Sequence, residues 1–145
     1  MLHEGYGFVF TRAARFISRI YNRHLAKDSL TVGQYGILVS IANSGPILLQ
    51  DLADQLVIER SALLRTVKPL LHAGLIQSTA DPAYKKRLLY QLADEGRRLI
   101  ETASASIRSA ETEIEGIFPP STIQTMRNDL LAITNACRQE VDSIV

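Results

Sequence analysis

The chain has 145 residues, 46% of them hydrophobic and 21% charged, with a formal net charge of +1. That length and apolar content suffice for one buried core and argue against a second domain or a disordered, charge-driven chain. Cys137 is the sole cysteine, so an internal disulfide is excluded. No apolar stretch approaches the roughly 20 residues a membrane helix needs, and the start, with Glu4 and early arginines, lacks the layout of a signal peptide. A cytoplasmic protein is expected.

From Tyr6 to Leu25 apolar residues recur at helical spacing, with Arg12, Arg15, Arg19 and Arg23 at other positions, which predicts a first helix of about five turns. Thr31 and Gln34 form a T-x-x-Q capping box that opens a second helix, and Gly45-Pro46 stops it near Ser44. Leu49 to Leu56 reads as a short third helix with Leu52, Ala53 and Leu56 inward. Val57-Ile58-Glu59 is the turn that follows, and a valine there predicts a turn without a positive φ.

Apolar spacing resumes at Leu63, Val67, Leu70 and Leu71 and defines a fourth helix ending at Gly74. Pro69 lies inside it, so a kink or a broken hydrogen bond is expected near Thr66. Ile76 to Ala80 and Arg87 to Leu92 then alternate with period two, joined by a turn that begins at Asp81-Pro82, as a two-stranded ribbon would. Asp94-Glu95 starts a long fifth helix to about Gly116, with Asp94 as its expected cap. Pro119-Pro120 ends it, and Ser121 opens a sixth helix striped by Ile123, Met126, Leu130, Ile133, Cys137, Val141 and Ile144. The fold class is therefore mainly α with a small β-hairpin.

The near-neutral total hides a segregated charge. From Val57 to Arg87 there are six basic residues against two acids, and from Leu88 to Val145 five against nine. A local basic surface, rather than the total, is what a nucleic-acid partner reads. On the fourth helix the apolar stripe leaves Arg60, Ser61, Leu64, Arg65 and Lys68 on the other face or its edges. An exposed basic helix fits a major groove, with Arg60 to Arg65 toward base edges, Lys68 toward phosphate and Leu64 suited to a thymine methyl. Tyr84, Lys85, Lys86 and Arg87 place three cations at the tip of the ribbon, within reach of a neighbouring minor groove. The bland alternative for both elements is a solvated charged surface.

In order and spacing, GPILLQDLADQL, ERSALLRTVKPLLHAGLI and DPAYKKRLLYQLADEGRRL resemble the MarR family of bacterial winged-helix transcriptional regulators over essentially the full chain. The resemblance implies one MarR-like domain. Its winged helix-turn-helix lobe would span about residues 31–92, and its dimerisation helices about 5–25 and 94–145. It also implies a homodimer on a pseudo-palindromic operator in double-stranded DNA, acting as a repressor. By that similarity Arg60, Ser61, Ala62, Leu64 and Arg65 fall on the recognition helix and Lys86 on the wing tip. Family members often bind aromatic anions between the dimerising helices and the DNA-binding lobe, and Phe8, Arg12, Phe16 and Tyr35 come from helices that would line such a pocket; a packed core with Arg12 at the surface is the other reading.

Several positions depart from the family pattern. Tyr84 stands where an Asp usually precedes the basic pair, leaving Asp81 as the remaining acidic partner for Arg65. Lys85 and Lys86 stand where Arg is commoner, and Lys lacks the planar fork. Ala93 stands where a Thr usually caps the fifth helix. Cys137 reads as a packing residue on its apolar stripe or as an oxidant sensor.

His3, His24 and His72 have no metal-ligand spacing, and no nucleophile–base pair or phosphate loop appears. No cofactor, metal or catalytic role is expected. The competing function is a winged-helix dimerisation or protein-interaction module that never binds DNA, its acidic terminal helices serving as the interaction surface.

Overall fold

The computed structural model describes the backbone of residues 4–142 and the side chains of residues 4–135. Six α-helices and three short strands follow one another in the order α1 (Tyr6–Leu25), α2 (Val32–Ser44), β1 (Ile47–Leu48), α3 (Leu49–Leu56), α4 (Arg60–His72), β2 (Ile76–Ala80), β3 (Leu88–Leu92), α5 (Asp94–Ile117) and α6 (Pro120–Asp142). A single 3-10 turn, Ala26–Asp28, links α1 to the lobe that begins with α2. Among the described residues no helix is long and apolar enough to cross a membrane.

Local chemistry sets most boundaries. Thr31 and Gln34 form both halves of the capping box: the Thr31 hydroxyl accepts from the Gln34 amide at 3.2 Å and the Gln34 side chain accepts from the Thr31 N–H at 3.0 Å. Helix α6 opens at Pro120, one residue before Ser121, because proline suits a first helical position where its missing N–H is not needed. Helix α5 corrects its expected cap. Ala93 occupies the N-cap with no side-chain bond, and Asp94 is already the first helical residue, where its charge meets the helix dipole.

The turn between α3 and α4 corrects a second expectation. Val57 has φ 54° and ψ 46°, a left-handed conformation. Its N–H donates to the Asp54 carbonyl at 3.3 Å and the Ile58 N–H to the Ala53 carbonyl at 3.0 Å, the bond pair that closes a helix C-terminus in the Schellman manner. That closure requires a left-handed residue whatever its side chain, and here it overrides the steric preference of valine. Helix α4 ends through the same pair of bonds, with Gly74 at φ 72° in the equivalent place.

Helix α4 is continuous through Pro69. Proline lacks the N–H that would bond back four residues, so the carbonyl left without its helical partner is that of Arg65. Both Arg65 and Pro69 are exposed, so the missing bond falls on the outward side of the helix and not in the core.

The sheet is three-stranded rather than a bare ribbon, in the order β1-β3-β2, all antiparallel. Ile47 pairs with Tyr90, and Ser78 meets Tyr90 from the other side. Two residues between Pro46 and α3 are too few for a period-two signal, which is why β1 was not legible. Strand β3 begins at Leu88, one residue later than the alternation implied, and Leu88 is half-exposed while Tyr90 is buried.

One core joins α2, α3, α4 and the sheet through Leu38, Ile41, Leu52, Leu63, Val67 and Tyr90, and reaches α5 at Ala103. A smaller cluster of Ile20, Ala110 and Ile114 packs α1 on α5. Gly96 sets how closely α5 approaches the lobe. A Cβ there would stand 2.1 Å from the Leu75 carbonyl oxygen, which also accepts the Ala93 N–H at 3.0 Å. Only glycine fits this crossing.

Candidate nucleic-acid interface

Helices α3 and α4, the Val57 turn and the β2–β3 hairpin form one lobe. Leu63, Val67 and Leu70 hold α4 against the core, all 2% exposed or less, so the opposite face is presented outward. Arg60, Ser61, Arg65 and Lys68 are exposed there. Ala62 and Leu64 are partly buried at the edges, and Leu64 packs against the core cluster, which leaves only part of its side chain for another surface.

The hairpin tip is a closed seven-residue unit. The Asp81 N–H donates to the Arg87 carbonyl at 2.9 Å, the Tyr84 N–H to the Asp81 carbonyl at 3.1 Å, and the Arg87 N–H to the Tyr84 carbonyl at 2.9 Å. The Asp81 carboxylate accepts the Ala83 N–H at 3.0 Å, an Asx turn. This corrects the expectation that Asp81 replaces the missing acidic partner of Arg65, because its carboxylate serves the wing turn. Among the described residues neither Arg65 nor any of Arg60, Lys68, Lys85 and Lys86 makes an ion pair. Tyr84, Lys85, Lys86 and Arg87 are all exposed, and the Arg87 guanidinium lies 5.0 Å from the centroid of the Tyr84 ring.

The four residues proposed for a ligand pocket are placed unequally. Phe8, Arg12 and Phe16 follow one exposed stripe of α1, with the Arg12 guanidinium 5.4 Å from the Phe8 ring centroid. Tyr35 packs partly buried against the core. Beside it, burial pushes the Tyr21 hydroxyl above its ordinary pKa, and the Glu111 carboxylate adds to that shift. The expectation for Cys137, packing residue or sensor, lies outside the described side chains, as does His3. His72 is exposed in the last turn of α4.

Sequence reasoning missed the polar ties between α1 and α5. Glu113 accepts from the Arg23 guanidinium at 2.6 and 2.9 Å and faces the His24 Nε2 at 2.6 Å. Its carboxyl is lowered from 4.5 to about 2, first by the hydrogen bond from Arg23 and then by that from His24. Ser106, fully buried, donates to the Asp28 carboxylate of the 3-10 turn. These partners lie 78 to 90 positions apart, so no local pattern announces them.

A short helix, a left-handed turn, a basic outward helix and a hairpin with a cationic tip define a winged helix-turn-helix lobe, the class of fold that places one helix in a DNA groove. The family profile described as "MarR family" matches residues 30–88. The chain is 30% identical over 111 residues to the uncharacterized HTH-type transcriptional regulator YvnA of Bacillus subtilis (strain 168), covering 77% of this chain and 70% of that one. Among solved structures, a MarR mutant from E. coli complexed with operator DNA shares 20% identity with a TM-score of 0.79, covering 88% of this chain and 91% of that one. CouR from Rhodococcus jostii RHA1, bound to p-coumaroyl-CoA, shares 23% identity with a TM-score of 0.75, covering 90% and 92%. The two structures share the fold. The chain belongs to the MarR family, and it is a DNA-binding transcriptional regulator.

Proposed function

We propose that this chain is a cytoplasmic homodimeric repressor that binds a pseudo-palindromic operator and carries no catalytic role. It is read as a single MarR-like domain with a DNA-binding lobe over about 31–92 and dimerisation helices over about 5–25 and 94–145. One observation carries the reading. Among the described residues, the cations of α4 and the wing tip are exposed and without acidic partners, whereas every ion pair involves α1 or α5. A surface whose cations are not neutralised within the chain is available to phosphates.

On this reading Arg60, Ser61, Ala62 and Arg65 meet base edges in the major groove, part of Leu64 meets a thymine methyl, and Lys68 meets phosphate. Tyr84, Lys85, Lys86 and Arg87 reach the adjacent minor groove. Two such lobes in a dimer must match half-sites about 34 Å apart along B-DNA, or a multiple of that. The E. coli neighbour complexed with operator DNA supports the mode of binding, and the CouR neighbour bound to p-coumaroyl-CoA supports control by an acidic aromatic effector. Phe8, Arg12, Phe16 and Tyr35 are the residues proposed to meet it. Such an effector lowers operator affinity by its differential binding to dimers with different lobe spacings.

The test is selection of bound fragments from genomic DNA, followed by titration of the enriched duplex at two salt concentrations. Affinity is expected to fall steeply with salt and to exceed that for random duplex. Arg65→Ala is expected to weaken operator binding by about 1–3 kcal/mol if the residue meets a base edge. Salt-independent binding, or an Arg65→Ala variant that binds unchanged, would instead favour a protein-interaction module.

A further inference from the structure

Two acids, Glu59 and Asp81, lie between Val57 and Arg87, and the fold uses only the second. The Asp81 carboxylate accepts the Ala83 N–H in the wing turn. Glu59 occupies the N-cap of α4 but makes no side-chain bond to the helix, and it is not one of the residue types that cap well. Its neighbours at helical pairing distance, Ala62 and Leu63, carry no charge, and among the described residues Glu59 makes no ion pair. It is exposed, directly beside the exposed Arg60.

The backbone is fixed on both sides of this carboxylate. The Ile58 N–H donates to the Ala53 carbonyl at 3.0 Å, and the Glu59 carbonyl accepts the Leu63 N–H at 3.0 Å. The side chain therefore starts from a defined place, the end of α4 from which a groove-bound helix reads base edges. An acid there opposes binding, since DNA phosphates repel it. A carboxylate also only accepts hydrogen bonds. In the major groove guanine shows two acceptors, thymine an acceptor and a methyl, and adenine a donor beside an acceptor, whereas cytosine shows the N4 donor alone. An acid that the phosphates repel and one base edge rewards acts by rejecting wrong sites.

Resting on the DNA-binding reading above, we infer that Glu59 is a specificity-determining residue of α4, which accepts from a cytosine N4 amino group in each half-site and disfavours the other bases there. It supplies selectivity where the neighbouring cations supply affinity.

The experiment uses the full-length protein and an enriched operator varied one base pair at a time in both half-sites. Wild type, Glu59→Gln and Glu59→Ala are titrated against this set and against random duplex. At one position wild type is expected to prefer cytosine over guanine or thymine by at least about fivefold, the lower end of the range for one mismatched base pair. Glutamine offers a donor and an acceptor, the pair that matches adenine N6 and N7, so Glu59→Gln is expected to move the preference at that position from cytosine to adenine. Glu59→Ala is expected to lose the preference and to bind random duplex more tightly than wild type, because a repulsive charge has gone. Thermal unfolding of each variant separates this role from a helix-dipole contact, whose loss would lower the melting temperature and leave the base ranking unchanged. A base ranking shared by wild type and both variants at every position, or a Glu59→Ala variant that binds random duplex no better, overturns the inference. A wild type that binds no duplex overturns the DNA-binding reading itself.

Discussion

Val57 shows how a single residue can hold a functional turn at the expense of stability. A left-handed conformation costs an L-residue about 1–2 kcal/mol, and Val57 is 68% exposed, with little packing to offset that cost. Gly74 occupies the equivalent position after α4 without the penalty. Val57→Gly is therefore expected to stabilise the chain by about 0.5–1 kcal/mol, the relief of strain less the extra freedom of glycine in the unfolded chain. It would appear as a higher urea midpoint at unchanged slope. A lower midpoint would show that the valine side chain packs in a way its exposure denies. The residue type was plain in the sequence, but the conformation was not, because the Schellman bonds from Val57 and Ile58 and not the side chain choose it.

Among the elements, α1 and α5 are joined by the apolar cluster of Ile20, Ala110 and Ile114 and, beside it, by the Glu113 bonds to Arg23 and His24. The Glu113 carboxyl is held at about 2, below its ordinary 4.5. Because the folded-state value lies below the unfolded one, this contribution to stability is complete above pH 4.5 and is lost as the pH falls toward 2. Glu113→Gln removes the titration. The difference in stability between wild type and variant is expected to be constant above that window and to shrink through it, as measured by urea unfolding at a series of pH values. A difference that stays constant down to the bottom of the window would show that the bonds do not perturb Glu113. Helical spacing announced α1 and α5 separately, yet their partnership depends on residues 90 positions apart.

For the whole molecule, exposed apolar side chains gather on the two terminal elements. Phe8, Val9, Phe10 and Phe16 on α1 and Leu130, Leu131 and Ile133 on α6 are each 44% or more exposed. On the dimer reading the second chain covers these side chains, apart from the parts of Phe8 and Phe16 that meet the effector, and both operator half-sites are engaged at once. The double variant Leu130→Glu/Ile133→Glu is expected to sediment at the mass of one chain instead of two. It should lose at least about tenfold in affinity for a two-half-site operator, since linkage of two sites commonly supplies more than that. Unchanged helicity by circular dichroism would show that the lobe itself survives. A variant that remains dimeric would place the dimer contact elsewhere.

Residue order carries what local chemistry decides. Apolar periodicity set the six helices, the Thr31 capping box and Gly74 set ends, and the clustering of Arg60, Arg65, Lys68 and Lys85 to Arg87 marked the basic lobe. Its exposed cations were legible as composition and order, because such side chains need only a helix face and a turn. Tertiary structure alone decided the third strand at Ile47–Leu48, the glycine-only contact of Gly96 with Leu75, the use of Asp81 within the wing turn and the Glu113 tie. Each of these depends on where distant segments or backbone bonds bring atoms within a few ångströms, and a linear pattern of residue types carries no such distances.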